Sequence, residues 1–177
     1  ACRALVAPLR QVLQQTGVLG ADAVAIQCTI FHKTPECNWK VPYHQDLSVP
    51  VAERVEHPAF SGWSMKEDGH YVQPPAALLE RLLAVRLHLD PCHAGDGALR
   101  VLPGTHAAGR IDVEAIPALR RDRHEAHCFA DAGDHILMRP LLLHASSKAE
   151  SPSGRRVLHV LFAPPEPGFG LRWRTRV

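Results

Sequence analysis

Leu5, Leu9, Val12 and Leu13 recur at helical spacing and Gly17 offers a stop, which predicts an amphipathic helix over about residues 3–16. After Gly20 the period shortens to two. Val24, Ile26, Cys28 and Ile30 alternate with Ala25, Gln27, Thr29 and Phe31, so a strand is predicted with Gln27 and Thr29 on one face. A second short strand is predicted over Tyr43–Val49. Residues 50–74, broken by Pro50, Pro58, Gly62, Gly69 and Pro74, read as irregular. A connection of that length in a compact domain is more often functional than idle. Pro74-Pro75 then opens a short helix running to Leu82.

Strands and turns fill the remainder. Leu83–Leu89 alternates, Ala94-Gly95-Asp96-Gly97 turns the chain, Leu99–Leu102 follows, and Pro103-Gly104 turns it again. A helix over Asp112–Arg121 precedes three candidate strands: Glu125–Ala130, Asp134–Met138 running on to His144, and Arg155–Phe162. At least seven short strands separated by turns predict a mainly β fold, a sandwich or jelly roll with a few flanking helices. The tail, with Pro164, Pro165 and Pro167, reads as a surface extension. A length of 177 residues fits one domain, with the barrel over about 23–162 and an extension over 163–177.

Composition narrows the function classes. No apolar run approaches the ~20 residues needed to cross a bilayer, and the first residues do not read as a secretory signal. The chain opens on Ala1 rather than Met, already inside the helical pattern, which is consistent with further residues upstream. A formal charge of +2 gives no argument for nucleic acid or a membrane surface as partner. Five scattered cysteines without a C-x-x-C pair fit a reducing cytoplasm better than a disulfide framework. Twelve histidines make a metal site worth seeking.

His44-Gln45-Asp46 places an imidazole and a carboxylate two residues apart on a predicted strand, so both share a face and can reach one ion. Alone, H-x-D recurs by chance and reads equally well as a solvated strand. His144 closes the apolar stretch Leu141-Leu142-Leu143, where a histidine points into a core or a site. Two histidines and one carboxylate with open positions are the ligand set of non-haem Fe(II) oxygenases. Arg155, eleven residues on, stands at a strand start and suits a bidentate link to a dicarboxylate.

With these pieces the sequence resembles the phytanoyl-CoA dioxygenase family of Fe(II)/2-oxoglutarate oxygenases. The resemblance rests on His44-Gln45-Asp46, on Gly97-Ala98-Leu99-Arg100-Val101-Leu102-Pro103-Gly104-Thr105-His106, on Gly133-Asp134-His135-Ile136-Leu137-Met138, and on the spacing from His144 to Arg155. Asp96 stands where the family usually has Asn, and Thr105 where Ser is usual. The resemblance implies a double-stranded β-helix, a cupin-like barrel, with the metal near one mouth. It implies that His44, Asp46 and His144 ligate Fe(II) and that Arg155, assisted by Ser146, holds the distal carboxylate of 2-oxoglutarate. Gln27, and more weakly Thr29, would contact the co-substrate near the metal. The implied reaction consumes O2, with ascorbate able to keep the iron reduced, and hydroxylates a C–H bond of a small molecule with release of succinate and CO2. The carboxylate of Asp46 favours hydroxylation over halogenation, for which related enzymes carry a small residue there. The chain has a shorter N-terminal region than is common in the family and none of its peroxisomal targeting features, so the family name is not read as its substrate.

Other polar residues have plainer readings. His88, Asp90 and His93 splay at a strand end. His124 and His127 are three apart, not four, and face opposite ways on a strand, which argues against a zinc motif. His159 shares parity with Arg155 and is either a buried, hydrogen-bonded histidine or a substrate contact. His106 reads as structural, and Arg86 and Arg100 as a solvated strand face. Trp39, Tyr43, Trp63 and Tyr71 either line a pocket or staple the 50–74 segment to the barrel. Two competing functions stay open, a cupin-like metal-dependent isomerase or hydrolase and a non-catalytic small-molecule-binding barrel. Oligomeric state is not legible.

Overall fold

The computed structural model describes residues 2–66, 69–150 and 154–177, so residues 67 and 68 of the 50–74 segment lie outside the described residues. In chain order the elements are α1 (Cys2–Gln15), β1 (Val24–Lys33), β2 (Val41–His44), β3 (Val49–Pro50), β4 (Ser61–Lys66), β5 (Gly69–Gln73), α2 (Ala76–Leu79) and β6 (Leu83–His88). They continue with β7 (Leu99–Val101), α3 (Ile116–Asp122), β8 (Ala126–Cys128), β9 (His135–Met138), β10 (His144–Ser146) and β11 (Arg155–Ala163). Two antiparallel four-stranded sheets, in the orders β1-β11-β6-β9 and β2-β10-β7-β8, form the double-stranded β-helix; β3, β5 and β4 make a third, smaller sheet.

The first sheet is covered on its outer face by α1. Val6, Leu9 and Leu13 of the helix bury against Ala25, Leu83, Val85, Leu158, Val160 and Phe162, at roughly 1.5–3 kcal/mol for each large side chain removed from water. The buried stripe is Val6, Leu9 and Leu13, while Leu5 and Val12 of the expected stripe remain exposed. On the second sheet, Ile116 of α3 packs on Leu102 and Leu143.

In β1, Gln27 and Thr29 share one face as expected, with Phe31 and Lys33 on the same face, and a register shift between Ala25 and Gln27 leaves the apolar Cys28 and Ile30 exposed. Several other expectations need correction. The predicted strand Tyr43–Val49 is two elements, β2 and β3, with Gln45–Ser48 irregular between them. Residues 50–74 hold the β4–β5 hairpin, hidden in the sequence because β4 is almost wholly exposed and carries no alternation. β9 does not run on to His144; it belongs to the first sheet and β10 to the second. The tail is no surface extension: Leu171 and Trp173 are buried in the main core, Trp173 bridges Val51, and Val177 exchanges backbone bonds with Ala25.

Candidate metal centre and its cavity

His44 ends β2 directly opposite His144, which opens β10, in an antiparallel pair. Cross-strand partners in such a pair stand close enough for their side chains to meet, and the two imidazoles lie with ring centroids 4.3 Å apart. Each ring is held by a local bond: His44 Nδ1 to the Pro42 carbonyl at 3.0 Å and His144 Nδ1 to the Leu142 carbonyl at 2.9 Å. With Nδ1 donating to a carbonyl, the neutral ring carries its lone pair on Nε2, the form a metal ligand takes. Asp46 follows the strand rather than lying on it, and its backbone N–H donates to the Pro140 carbonyl at 2.8 Å. Its Oδ1 lies 3.4 Å from His44 Nε2 and its Oδ2 3.7 Å from His144 Nε2. One ligand atom from each of the three residues lies within 4.8 Å of the others. Two imidazoles and one carboxylate, converging from one side, fit a divalent metal of the Fe(II) type with positions left for other ligands.

Two residues beside the ligands fix this geometry. Gln45, between His44 and Asp46, points away and is buried; its amide donates to the Gly109 and Leu141 carbonyls and accepts from the Ile111 N–H. Thr105, of the Pro-Gly-Thr-His turn, donates to the Leu102 carbonyl at 2.8 Å and accepts from the Leu143 N–H at 3.0 Å, one residue before His144. The sequence singles out the turn as a motif but gives no sign that its hydroxyl clamps the strand bearing the second histidine.

The charges of the three ligands are strongly biased. Burial alone would push the Asp46 carboxyl up, but the hydrogen bond with His44 and the nearby His144 and His159 outweigh it and hold the group well below the usual carboxylate range. The hydrogen bond with Asp46 raises the His44 imidazole. Burial lowers His144 and takes His159 down to about 4.

A cavity of about 370 Å³ lies against this cluster, between the two main sheets, a size at the lower end of ordinary ligand pockets. Arg155, Ser146, Gln27, His159 and Trp39 line it, as expected for contacts with a co-substrate or substrate. Thr29, Tyr43 and Trp63 are not among its lining residues. Thr29 accepts a hydrogen bond from Gln27 Nε2 at 3.3 Å. Tyr43 packs behind the second sheet, with its hydroxyl on Glu125, and Trp63 packs between Phe60 and Arg54. His159 lines the cavity, and its enclosed Nδ1 has no hydrogen-bond partner among the described residues.

Arg155 is 7% exposed, and its guanidinium donates to the Asp96 and Gly97 carbonyls at 3.2 and 3.3 Å. The turn that holds it requires Gly97: φ is +68°, and a Cβ there would meet the Ser147 carbonyl oxygen at 2.5 Å and Lys33 Nζ at 2.9 Å.

Two cavity residues were missed or misread. Arg86 lines the wall, paired across β6 and β11 with His159, and is no solvated strand residue. Its signal was the parity it shares with Ala84 and His88, whose inward face only the pairing reveals. Lys33, cross-strand partner of Arg155, is 2% exposed. Its ammonium donates to the Ser147 carbonyl, lies 3.5 Å from Ser146 Oγ and sits 5.5 Å from the centre of the Trp39 ring. Burial and the Arg155 charge lower Lys33 to about 8. It ends the inner row Gln27, Thr29, Phe31, Lys33. Elsewhere, Asp90 pairs with Arg156 and His93 with Asp131, whereas His88 is buried with no hydrogen-bond partner on either ring nitrogen among the described residues.

The sequence pattern of the phytanoyl-CoA dioxygenase (PhyH) family matches residues 3–157. No curated protein matches the sequence. Among solved structures, the fold is similar to the α-ketoglutarate-dependent carbocyclase SnoK from nogalamycin biosynthesis, with a TM-score of 0.64 and 16% identity over 95% of this chain and 62% of that one. It is also similar to the epimerase SnoN in complex with Fe3+, α-ketoglutarate and nogalamycin RO, with a TM-score of 0.65 and 14% identity over 91% of this chain and 57% of that one. AviO1 from Streptomyces viridochromogenes Tue57 gives a TM-score of 0.59 and 20% identity over 89% of this chain and 57% of that one. The chain therefore spans about three fifths of the length of these structures.

Proposed function

Because the chain belongs to the phytanoyl-CoA dioxygenase family, we propose that it is an Fe(II)- and 2-oxoglutarate-dependent oxygenase that hydroxylates a C–H bond of a small molecule. The observation that carries this reading is the cross-strand pair His44–His144 with Asp46 beside it, both imidazoles fixed through Nδ1. In this reading His44 and His144 through Nε2, and Asp46 through one oxygen, hold the iron. The chemistry such a metal supplies when bound is O2 activation coupled to oxidation of 2-oxoglutarate. In the overall balance the co-substrate loses CO2, one oxygen atom enters succinate and the other enters the product hydroxyl.

The chain's own part is placement. Arg155 offers a fixed guanidinium to the distal carboxylate, with Ser146 as a second donor. Gln27, on the same sheet as Arg155, would hydrogen-bond the co-substrate nearer the metal. The apolar wall, including Phe31, Leu99 and Leu161, keeps water from the reacting end. Epimerisation and ring closure, the reactions named for SnoN and SnoK, would use the same placement of groups. Purified protein with Fe(II), ascorbate and 2-oxoglutarate is expected to form succinate slowly without substrate. Under nitrogen it should show the weak visible charge-transfer band of a metal-bound keto acid. Absence of 2-oxoglutarate binding at millimolar levels would overturn the reading.

A further inference from the structure

The cavity wall carries more positive charge than its proposed occupants can neutralise. Lys33, Arg86 and Arg155 line its interior, the exposed Lys66 also lines it, and Asp46 is the one carboxylate among the described lining residues. None of the three interior cations has a carboxylate partner among the described residues. Arg155 bonds to backbone carbonyls, and Lys33 to a carbonyl and a hydroxyl. Arg86 lies with its guanidinium carbon 5.4 Å from the centre of the Phe31 ring, and its Nε is enclosed without a hydrogen-bond partner. Charge taken out of water in this way is costly unless paired. A divalent metal and a dianionic co-substrate cancel each other. Asp46 balances one of the three interior cations, and two are left over, with the solvent-exposed Lys66 set aside.

Arg86 is also placed apart from the co-substrate end. Lys33 and Arg155 pair at one end of β1 and β11, beside Ser146. Arg86 pairs with His159 two inward-facing positions further along β11, and Phe31 lies edge-on to His159 at 5.7 Å. A guanidinium, an imidazole and a phenyl ring thus make a second polar end to the cavity.

Resting on the function proposed above, we propose that the substrate is a small organic anion whose carboxylate or phosphate seats on Arg86. Its uncharged remainder lies along Phe31 and Leu161. The volume of about 370 Å³, shared with 2-oxoglutarate, suits a small anionic end beside Arg86. Arg86 then sets specificity: it provides a site for a charged end and leaves a buried unpaired cation against any neutral ligand.

The test uses the whole chain and three probes of one length: hexanoate, hexyl phosphate and hexan-1-ol. Binding is followed by quenching of tryptophan fluorescence, since Trp39 lines the cavity. The probes are titrated both without metal and under nitrogen with Fe(II) and saturating 2-oxoglutarate. At least one anion is expected to bind roughly tenfold or more tightly than the alcohol, and which one does so separates a carboxylate from a phosphate substrate. Arg86→Met should erase that preference while weakening 2-oxoglutarate far less, and Arg86→Lys should keep part of it. Equal affinity for all three probes in the wild type overturns the proposal without needing any variant. Parallel loss of anion and 2-oxoglutarate in Arg86→Met also overturns it, because Arg86 would then serve the co-substrate. Failure of 2-oxoglutarate itself to bind would strike the oxygenase reading, while the preference measured without metal would still stand or fall separately.

Discussion

The two main sheets bury polar side chains by opposite means. On β2 and β10 the imidazoles of His44 and His144 are each held by a backbone carbonyl, and Gln45 and Thr105 tie down the flanking backbone. On β1, β6 and β11 the cations Lys33, Arg86 and Arg155 face the cavity, and none of them is ion-paired to a carboxylate among the described residues. The first arrangement is complete as it stands, because protein–protein bonds fix it. The second is electrostatically costly until an anion arrives. One sheet is organised by geometry and the other by unbalanced charge, so damage to each should register in a different measurement.

The strongest way to break this contrast is to remove a ligand. His144→Ala should weaken Fe(II) or Co(II) binding by more than the roughly 10–100-fold typical of losing an outer-shell partner, read by metal titration. If metal affinity survives, the triad is not the metal site. Arg155→Ala is the matching cut on the other sheet. Truncating one partner of a buried charged pair costs about 2–5 kcal/mol, so 2-oxoglutarate should bind at least about 30-fold more weakly, with metal affinity nearly unchanged. Equal loss of both would erase the distinction between the sheets.

Lys33 sharpens the contrast through pH. Its folded value of about 8 lies below the ordinary 10.5, so the unfolded chain holds that proton more tightly. The penalty on the unliganded protein is therefore full below pH 8 and fades as pH rises to about 10.5, amounting to at most about 3 kcal/mol. Urea unfolding of wild type and Lys33→Met at pH 7 to 10 should show the variant more stable at pH 7 and the two curves converging above pH 10. A constant gap across that range would mean that packing, not charge, sets the difference.

The two sheets also differed in how legible they were. The second sheet's candidate site could be read because His44, Asp46 and His144 sit in local motifs, His44-Gln45-Asp46 and the apolar run ending at His144, each meaningful without knowing its partner strand. Of the charged wall, Arg155 could be read, whereas Lys33 and Arg86 could not. Gln27 and Thr29 read as one strand face, and the resemblance turns that face toward the co-substrate, but Lys33, further along the same face, lies in no motif that marks it as buried. Arg86 took its direction from pairing with β11, a contact between residues far apart in sequence. The tail was misread for a related reason: its prolines forbid a central strand, yet they do not prevent Leu171 and Trp173 from closing the core.

The smallest effect expected is at Thr105, and it tests whether geometry on the second sheet is as rigid as the contrast requires. Thr105→Val keeps the shape but leaves the Leu143 N–H without its acceptor, at about 1–3 kcal/mol of stability. The backbone bond from Leu102 N–H to the Leu143 carbonyl at 3.0 Å remains to hold the strand. Metal affinity should therefore fall by no more than about tenfold, while the unfolding midpoint drops measurably. Thr105→Ser, which keeps the hydroxyl, should restore most of both. If Thr105→Val instead lowered metal affinity as far as His144→Ala, a single hydroxyl would be positioning the ligand. The second sheet would then depend on one bond rather than on the redundant set that Gln45, Leu142 and Leu143 provide.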